Sequence, residues 1–157
     1  MEQFYKNNMK FFQQHPLLKR ILIMTTQYFP IITFIVYPCF LLYLFIHKDS
    51  YLLMAVIKPL LALITVSLIR KLINRSRPFE KYHYEPLVPH EKGQSFPSKH
   101  TLSSMVIAFT VYPVCPSLGI FLLIIGLILS LSRIFVGIHF ISDILGGMII
   151  ALIISLI

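Results

Sequence analysis

Long apolar stretches without a single charged residue constrain this chain more than any other feature. Residues 21–46 and residues 101–132 contain no Asp, Glu, Lys or Arg. A helix rises about 1.5 Å per residue and the apolar core of a bilayer is about 30 Å thick, so about 20 such residues suffice to cross it. Only 13% of the residues are charged, about half the share of a soluble domain. The sequence therefore predicts an integral membrane protein.

The apolar pattern predicts an all-α fold, a polytopic membrane helix bundle of about five transmembrane helices. We expect one domain over residues 1–157. Residues 1–20 mix aromatic and basic side chains, which favours an interfacial amphipathic helix over a partly ordered tail. Prolines 30 and 38 are expected to kink the first span, and prolines 113 and 116 to divide the third long apolar stretch in two. The expected spans are residues 21–46, 51–69, the two halves of 101–132, and 134–157.

The charged residues indicate which kind of partner the protein has. Fourteen Lys and Arg against six Asp and Glu give a formal net charge of +8. In a chain with long apolar stretches, this excess favours an anionic ligand or an anionic lipid surface over nucleic acid. With five spans, the polar segment 70–100, which we interpret as the active-site loop, lies on the same membrane face as residues 133–139.

His139 and Asp143 form the most specific pair in the C-terminal half. They are four positions apart and would share one face of a helix. A carboxylate in an otherwise apolar span needs a partner. By fixing one ring nitrogen, Asp143 would make the other nitrogen of His139 a candidate nucleophile or base. The alternative is a purely structural His–Asp pair.

Ser98 and His100 mark the expected start of the third span. Ser98 follows a proline and is a plausible N-cap. The N–H groups of a helix start can bind an anion, and His100 in the first turn could protonate a leaving group. The alternatives are capping alone for Ser98 and an interfacial position for His100.

Basic residues at the end of the second span could bind phosphate. Arg77 and either Arg70 or Lys71 are the candidates, because a guanidinium donates two hydrogen bonds to phosphate oxygens at once. The alternative is a flank that follows the positive-inside rule or contacts lipid head groups. For Arg75 and Lys81 we prefer this alternative.

These clusters meet on one membrane face. Cations, a capped helix start and two histidines, one of them paired with an acid, are what the transfer of a phosphoryl group to histidine requires. Taken together, the residues therefore favour phosphoryl transfer over separate structural roles.

The motifs resemble those of the type 2 phosphatidic acid phosphatase family of membrane phosphatases. The first family motif is a basic residue, then six intervening residues, then Arg-Pro, and Arg70 with Arg77-Pro78 matches it. Pro97-Ser98-Lys99-His100 corresponds to Pro-Ser-Gly-His. Ser132-Arg133, with His139 and Asp143, completes the third motif. Two positions depart from the pattern, since Arg70 stands for the usual Lys and Lys99 for the usual Gly.

The resemblance implies roles for these residues. It implies a phosphohistidine on His139, orientation of that ring by Asp143, and protonation of the leaving oxygen by His100. It implies no metal and no cofactor. The residues that would hold the phosphate are Arg70, Arg77, Ser98, Lys99 and Arg133, with Lys71 a substitute for Arg70.

The residues that precede the second motif narrow the resemblance to one branch of the family. The segment Pro86-Leu87-Val88-Pro89-His90 resembles the corresponding segment of the short bacterial bacitracin-resistance branch. Members of that branch dephosphorylate undecaprenyl pyrophosphate for cell wall biogenesis. This implies a multi-pass protein of the bacterial plasma membrane with an extracytoplasmic site, and lipid phosphates or pyrophosphates and membrane lipids as partners. Alternatives are a phosphatidylglycerophosphate, phosphatidic acid-type or lipid A phosphatase, and a lipid-binding scaffold without activity.

Overall fold

The computed structural model describes residues 1–157 and contains helices but no strands. A short amphipathic helix comes first, five further helices form the bundle, and one four-residue helix lies in the polar segment. The helices are α1 (Glu2–Gln14), α2 (Pro16–Ile46), α3 (Leu52–Ile73), α4 (Pro78–Lys81), α5 (Lys99–Val111), α6 (Pro116–Phe135) and α7 (Ile141–Ser155).

The predicted membrane helix bundle is confirmed. The helices α2, α3 and α6 are long and apolar enough to cross a membrane, and α7 is a shorter apolar helix. The 13-residue helix α5 packs against α2, α3, α6 and α7. Its core contacts are with apolar side chains such as Val66, Leu122 and Ala151. The break expected within residues 101–132 is present as a turn over residues 112–115.

The N-terminal segment differs from the expectation in its length. The amphipathic helix is present, with Tyr5 and Met9 buried, but it ends at Gln14. Proline 16 is favourable in the first turn of a helix because no N–H is needed there, so α2 begins five residues before the expected span. The early α2 residues Leu22 and Ile23 pack on a small core of Val88, Val136 and Ile138.

Prolines inside α2 and α3 free backbone carbonyls for contacts between helices. The α2 helix continues through Pro30 and Pro38. Because Pro30 has no N–H, the carbonyl oxygen of Thr26 loses its helical donor, and Arg133 donates to it at 3.0 Å. Pro59 has the same effect on Ala55, whose carbonyl accepts from the Tyr37 hydroxyl. Pro30 and Pro59 thus each connect their helix to a neighbouring one.

Helix ends meet at one pole of the bundle, and two glycines allow the helices to approach each other closely. A Cβ at Gly126 of α6 would lie 3.1 Å from the Ser104 hydroxyl, and one at Gly147 of α7 would lie 3.1 Å from the Ser98 carbonyl oxygen. Gly147 thus lets α7 lie close to the start of α5. The end of α3, the start of α5, the end of α6 and the start of α7 meet at this pole.

Candidate active site

His139 and Asp143 pair as expected, but not along a helix surface. His139 lies in the loop that precedes α7, and Asp143 is in the first turn of α7. The Asp143 carboxylate accepts from the backbone N–H of Phe140 at 2.8 Å, and so caps α7, which begins at the residue after Phe140. The His139 Nδ1 lies 3.4 Å from Asp143 Oδ2. The helix therefore begins too late to include the histidine.

Two further side chains hold the Asp143 carboxylate, which is fully buried. Ser95 Oγ donates to Oδ2, and Arg75 Nη1 donates to Oδ1 at 2.9 Å. The guanidinium of Arg75 also stacks on the Phe140 ring, 4.3 Å from its centroid. These donors favour the ionised carboxylate and fix its orientation toward His139.

The interpretation of Arg75 as a basic flank is therefore wrong. Its backbone carbonyl accepts from the Ser95 N–H at 2.8 Å, so both partners of Asp143 are joined to each other as well. The only signal in the sequence was the need of a buried acid for more than one donor, and this does not say which residue supplies it. Lys81 remains exposed, as a flank residue should be.

The tautomer of His139 follows from its neighbours. Arg77 Nη1 lies 3.4 Å from His139 Nε2, and a guanidinium can only donate. Nε2 therefore carries a lone pair, and the proton sits on Nδ1 toward Asp143. Burial lowers the pKa of His139 to about 4, against the opposing effect of the Asp143 hydrogen bond. The ring is thus neutral at pH 7 with a free lone pair, as a nucleophile needs.

Three arginines at this pole have buried side-chain donors without a partner. The Nε atoms of Arg70, Arg77 and Arg133 are buried and have no hydrogen-bond partner in the protein. Arg77 is held by the Ile138 carbonyl at 3.1 Å, and Arg133 by the Thr26 carbonyl. Buried donors are almost always satisfied, so three together indicate a site for an anion with several oxygens.

The second motif lies beside these arginines. Ser98 is the N-cap of α5 and accepts from the backbone N–H of Thr101. The Ser98 N–H donates to the Asp143 carbonyl at 3.0 Å, which joins the second and third motifs. His100 is partly buried and lines the cavity next to Arg133. Lys99 is exposed and lines an adjoining groove.

Lys71 does not join the group that the structure brings together. Its side chain is exposed near the end of α3, whereas the preceding Arg70 is partly buried. Of the two basic residues that the sequence left as alternatives, Arg70 therefore has the position suited to the anion.

Two helices outside the motifs also support the site. The Tyr5 hydroxyl of α1 donates to the His139 carbonyl at 3.0 Å, and the Asn8 amide donates to the Phe135 carbonyl. In α2, Thr26 donates to the Ser132 hydroxyl at 2.8 Å. The sequence did not predict these contacts, because none of the three residues is ionised at neutral pH or part of a motif.

Comparison with known proteins decides the family. The PAP2 superfamily model matches residues 50–157, which include all three motifs. The chain belongs to the PAP2 superfamily. The expected relationship is therefore confirmed, and the protein is a membrane phosphatase of the PAP2 type by family.

Two relatives from Bacillus subtilis match in sequence. The PAP2 chain is 30% identical to undecaprenyl-diphosphatase BcrC over 142 residues, which is 88% of this chain and 72% of the relative. It is 32% identical to phosphatidylglycerophosphatase B over 90 residues, or 50% of this chain and 42% of the relative.

Solved structures share the PAP2 fold. Aquifex aeolicus LpxE superposes with a TM-score of 0.74 at 23% identity, covering 90% of this chain and 85% of that one. A PAP2-type phosphatidylglycerolphosphate phosphatase from Bacillus subtilis superposes with a TM-score of 0.68 at 25% identity, covering 99% and 80%.

Substituting Ser95 tests whether the partners of Asp143 orient His139. Loss of a hydrogen bond to a buried charged group costs about 1.5–3 kcal/mol. We expect Ser95→Ala to lower kcat about tenfold or more, with little change in KM, because Ser95 is fully buried and its hydroxyl binds Asp143. Steady-state phosphate release measures both constants. The control is Ser76→Ala, at an exposed serine without a hydrogen bond. Equal kcat in both variants would contradict the assignment.

Proposed function

We propose that this PAP2 protein hydrolyses a phosphate from a lipid pyrophosphate, converting undecaprenyl pyrophosphate to undecaprenyl phosphate. The single observation that carries the phosphatase chemistry is the set of three unpaired arginine Nε donors around a neutral His139. The choice of lipid is supported by the similarity to BcrC. We further propose that residues 1–157 act as one unit, since α1 contacts the loop that carries His139.

The proposed reaction has two steps that share one phosphorus atom. In the first, the lone pair of His139 Nε2 attacks the terminal phosphorus, the bond to the bridging oxygen breaks, and His100 gives its proton to that oxygen. In the second, water attacks phosphorus, loses a proton to His100 and displaces His139. Orthophosphate leaves, and both histidines return to their starting states.

Arginines and helix-start groups stabilise the charge that develops in both steps. Donors preorganised in a water-poor site act on the transition state without reorganisation. Asp143 stabilises the positive charge that forms on the His139 ring during transfer. The groups proposed to hold the phosphate oxygens are Arg70, Arg77, Ser98, Lys99 and Arg133.

A second candidate function keeps the site and changes the lipid. The similarity to phosphatidylglycerophosphatase B favours a phosphomonoester lipid, such as phosphatidylglycerophosphate, phosphatidic acid or a lipid A. The same nucleophile, acid and arginines would serve, and only the lipid-facing surface would select the substrate. A lipid-binding scaffold is the alternative without catalysis.

A substrate panel separates these functions. Undecaprenyl pyrophosphate, undecaprenyl phosphate, phosphatidylglycerophosphate and phosphatidic acid are offered to the purified protein at equal surface concentration in detergent. We expect kcat/KM for undecaprenyl pyrophosphate to exceed that for phosphatidic acid about tenfold or more, since the basic site favours the more highly charged head group. Faster turnover of phosphatidic acid would reject the proposed lipid. Release no greater than that of His139→Ala on every lipid would favour the scaffold.

We propose that the site faces the outside of the bacterial plasma membrane. Two arguments oppose each other here. Lys6, Lys10 and the basic residues of the 70–100 segment share the site face, and the positive-inside rule would place them in the cytoplasm. Several of those cations, however, are needed to bind phosphate or to pair with Asp143, so they are weaker evidence for a cytoplasmic location. The external location follows the similarity to BcrC.

Cysteine labelling tests this orientation. Cys39 and Cys115 are replaced by alanine, and a single cysteine is placed at Glu85, an exposed residue on the site face. The matched control places it at Ser117, which is exposed beside the turn at the opposite pole. With an impermeant reagent on intact cells, we expect labelling at residue 85, and labelling at residue 117 only after lysis. The reverse pattern would place the site in the cytoplasm.

A further inference from the structure

A polar cavity next to His100 contains residues that have no part in the chemistry described so far. It has a volume of about 330 Å³ and is bordered by Gln27, His90, His100 and Arg133. His100 and Arg133 belong to the site, whereas Gln27 and His90 do not. The residues proposed to hold the transferred phosphate from the other side, such as Arg77, do not line this cavity.

The position of His100 indicates which part of a substrate would enter the cavity. In the proposed reaction His100 protonates the oxygen that leaves, so the leaving group lies beside His100 and across phosphorus from His139 Nε2. For a pyrophosphate lipid, the leaving group begins with a second phosphate.

The lipid chain has a path that continues from this cavity. A second cavity of about 300 Å³ shares Pro30 and His100 with the first and runs between α2 and α5. Its lining is mostly apolar in surface and includes Phe34 and Ile107. A head group in the polar cavity would therefore leave its chain in an apolar groove along α2.

His90 has the chemistry to bind that second phosphate. Its Nδ1 accepts from the Glu91 N–H at 3.0 Å, so a neutral ring carries its proton on Nε2. Burial, reinforced by the nearby arginines, lowers the pKa of His90 to about 4, and the ring is neutral at pH 7. Its centroid is 6.4 Å from that of His139, with the rings edge to face. The His90 donor thus lies within the reach of a diphosphate whose terminal phosphorus is placed at His139.

Gln27 supplies a second donor from another element. It is the only carboxamide in residues 21–46, and it lines the polar cavity from α2. Its side chain is exposed and makes no hydrogen bond within the protein, so its amide N–H groups are free to donate to an anion in the cavity.

We propose that His90 and Gln27 form a second phosphate subsite, which binds the lipid-proximal phosphate of a pyrophosphate substrate. This proposal rests on the proposed function and names the head group that the site selects. The subsite adds affinity for a diphosphate and none for a monophosphate, whose single phosphate lies between His139 and the arginines.

Binding of soluble head-group analogues tests the subsite. Methylene bisphosphonate, a pyrophosphate analogue without a cleavable bridge, and orthophosphate are titrated into the purified protein by calorimetry. We expect His90→Ala and Gln27→Ala each to weaken bisphosphonate binding about tenfold, the effect of one lost hydrogen bond to a charged group. Both should leave the orthophosphate Kd within about twofold.

The controls separate this proposal from folding defects and from the proposed function. His83→Asn is the matched control, because His83 is an exposed histidine of the same loop in a left-handed conformation that asparagine tolerates. The Gln27 variant carries the test if His90→Ala does not fold. Equal weakening of both ligands, no weakening, or no bisphosphonate binding by the unaltered protein would overturn the subsite. Failure of the proposed function appears separately, as absence of lipid pyrophosphate hydrolysis by the unaltered protein.

Discussion

Asp143 is the only acidic side chain within the bundle helices α2, α3, α5, α6 and α7, and groups from three separate segments converge on it. Ser95, Arg75 and the Phe140 N–H donate to its carboxylate, and Ser98 donates to its backbone carbonyl. A buried charge without partners would be strongly unfavourable. The protein therefore folds its polar segment around this residue, and the orientation of His139 follows.

The remaining charges at the site have the opposite sign and are incompletely satisfied. Arg77 and Arg133 are anchored through backbone carbonyls, of Ile138 and Thr26, which fix their positions without neutralising them. Their charge and their free Nε donors remain available for an anion. Asp143 is thus fully paired and orients His139, whereas Arg77 and Arg133 are fixed in position but keep free donors for a phosphate.

Local spacing made part of this predictable. His139 and Asp143 are four residues apart, and Ser98 caps the helix that follows it, so short-range chemistry was sufficient. Arg75 and Ser95 reach Asp143 across 68 and 48 residues, and no periodicity encodes such a pairing. Pro30 was expected to kink α2; its role in freeing the Thr26 carbonyl for Arg133 depends on which neighbour that carbonyl faces. The bundle was predictable from hydropathy, whereas the C-terminal end of α1 and the first residue of α2 depended on Pro16.

The covalent role of His139 is the central claim, and rapid quench with a substrate labelled in its terminal phosphate tests it most directly. The substrate is undecaprenyl pyrophosphate, and the quenched protein is digested and sequenced for an acid-labile, base-stable label. The account predicts label on His139 within the first turnover, none in His139→Ala, and slower labelling at the same residue in His100→Ala. Label on His100, or label retained by His139→Ala, would contradict it.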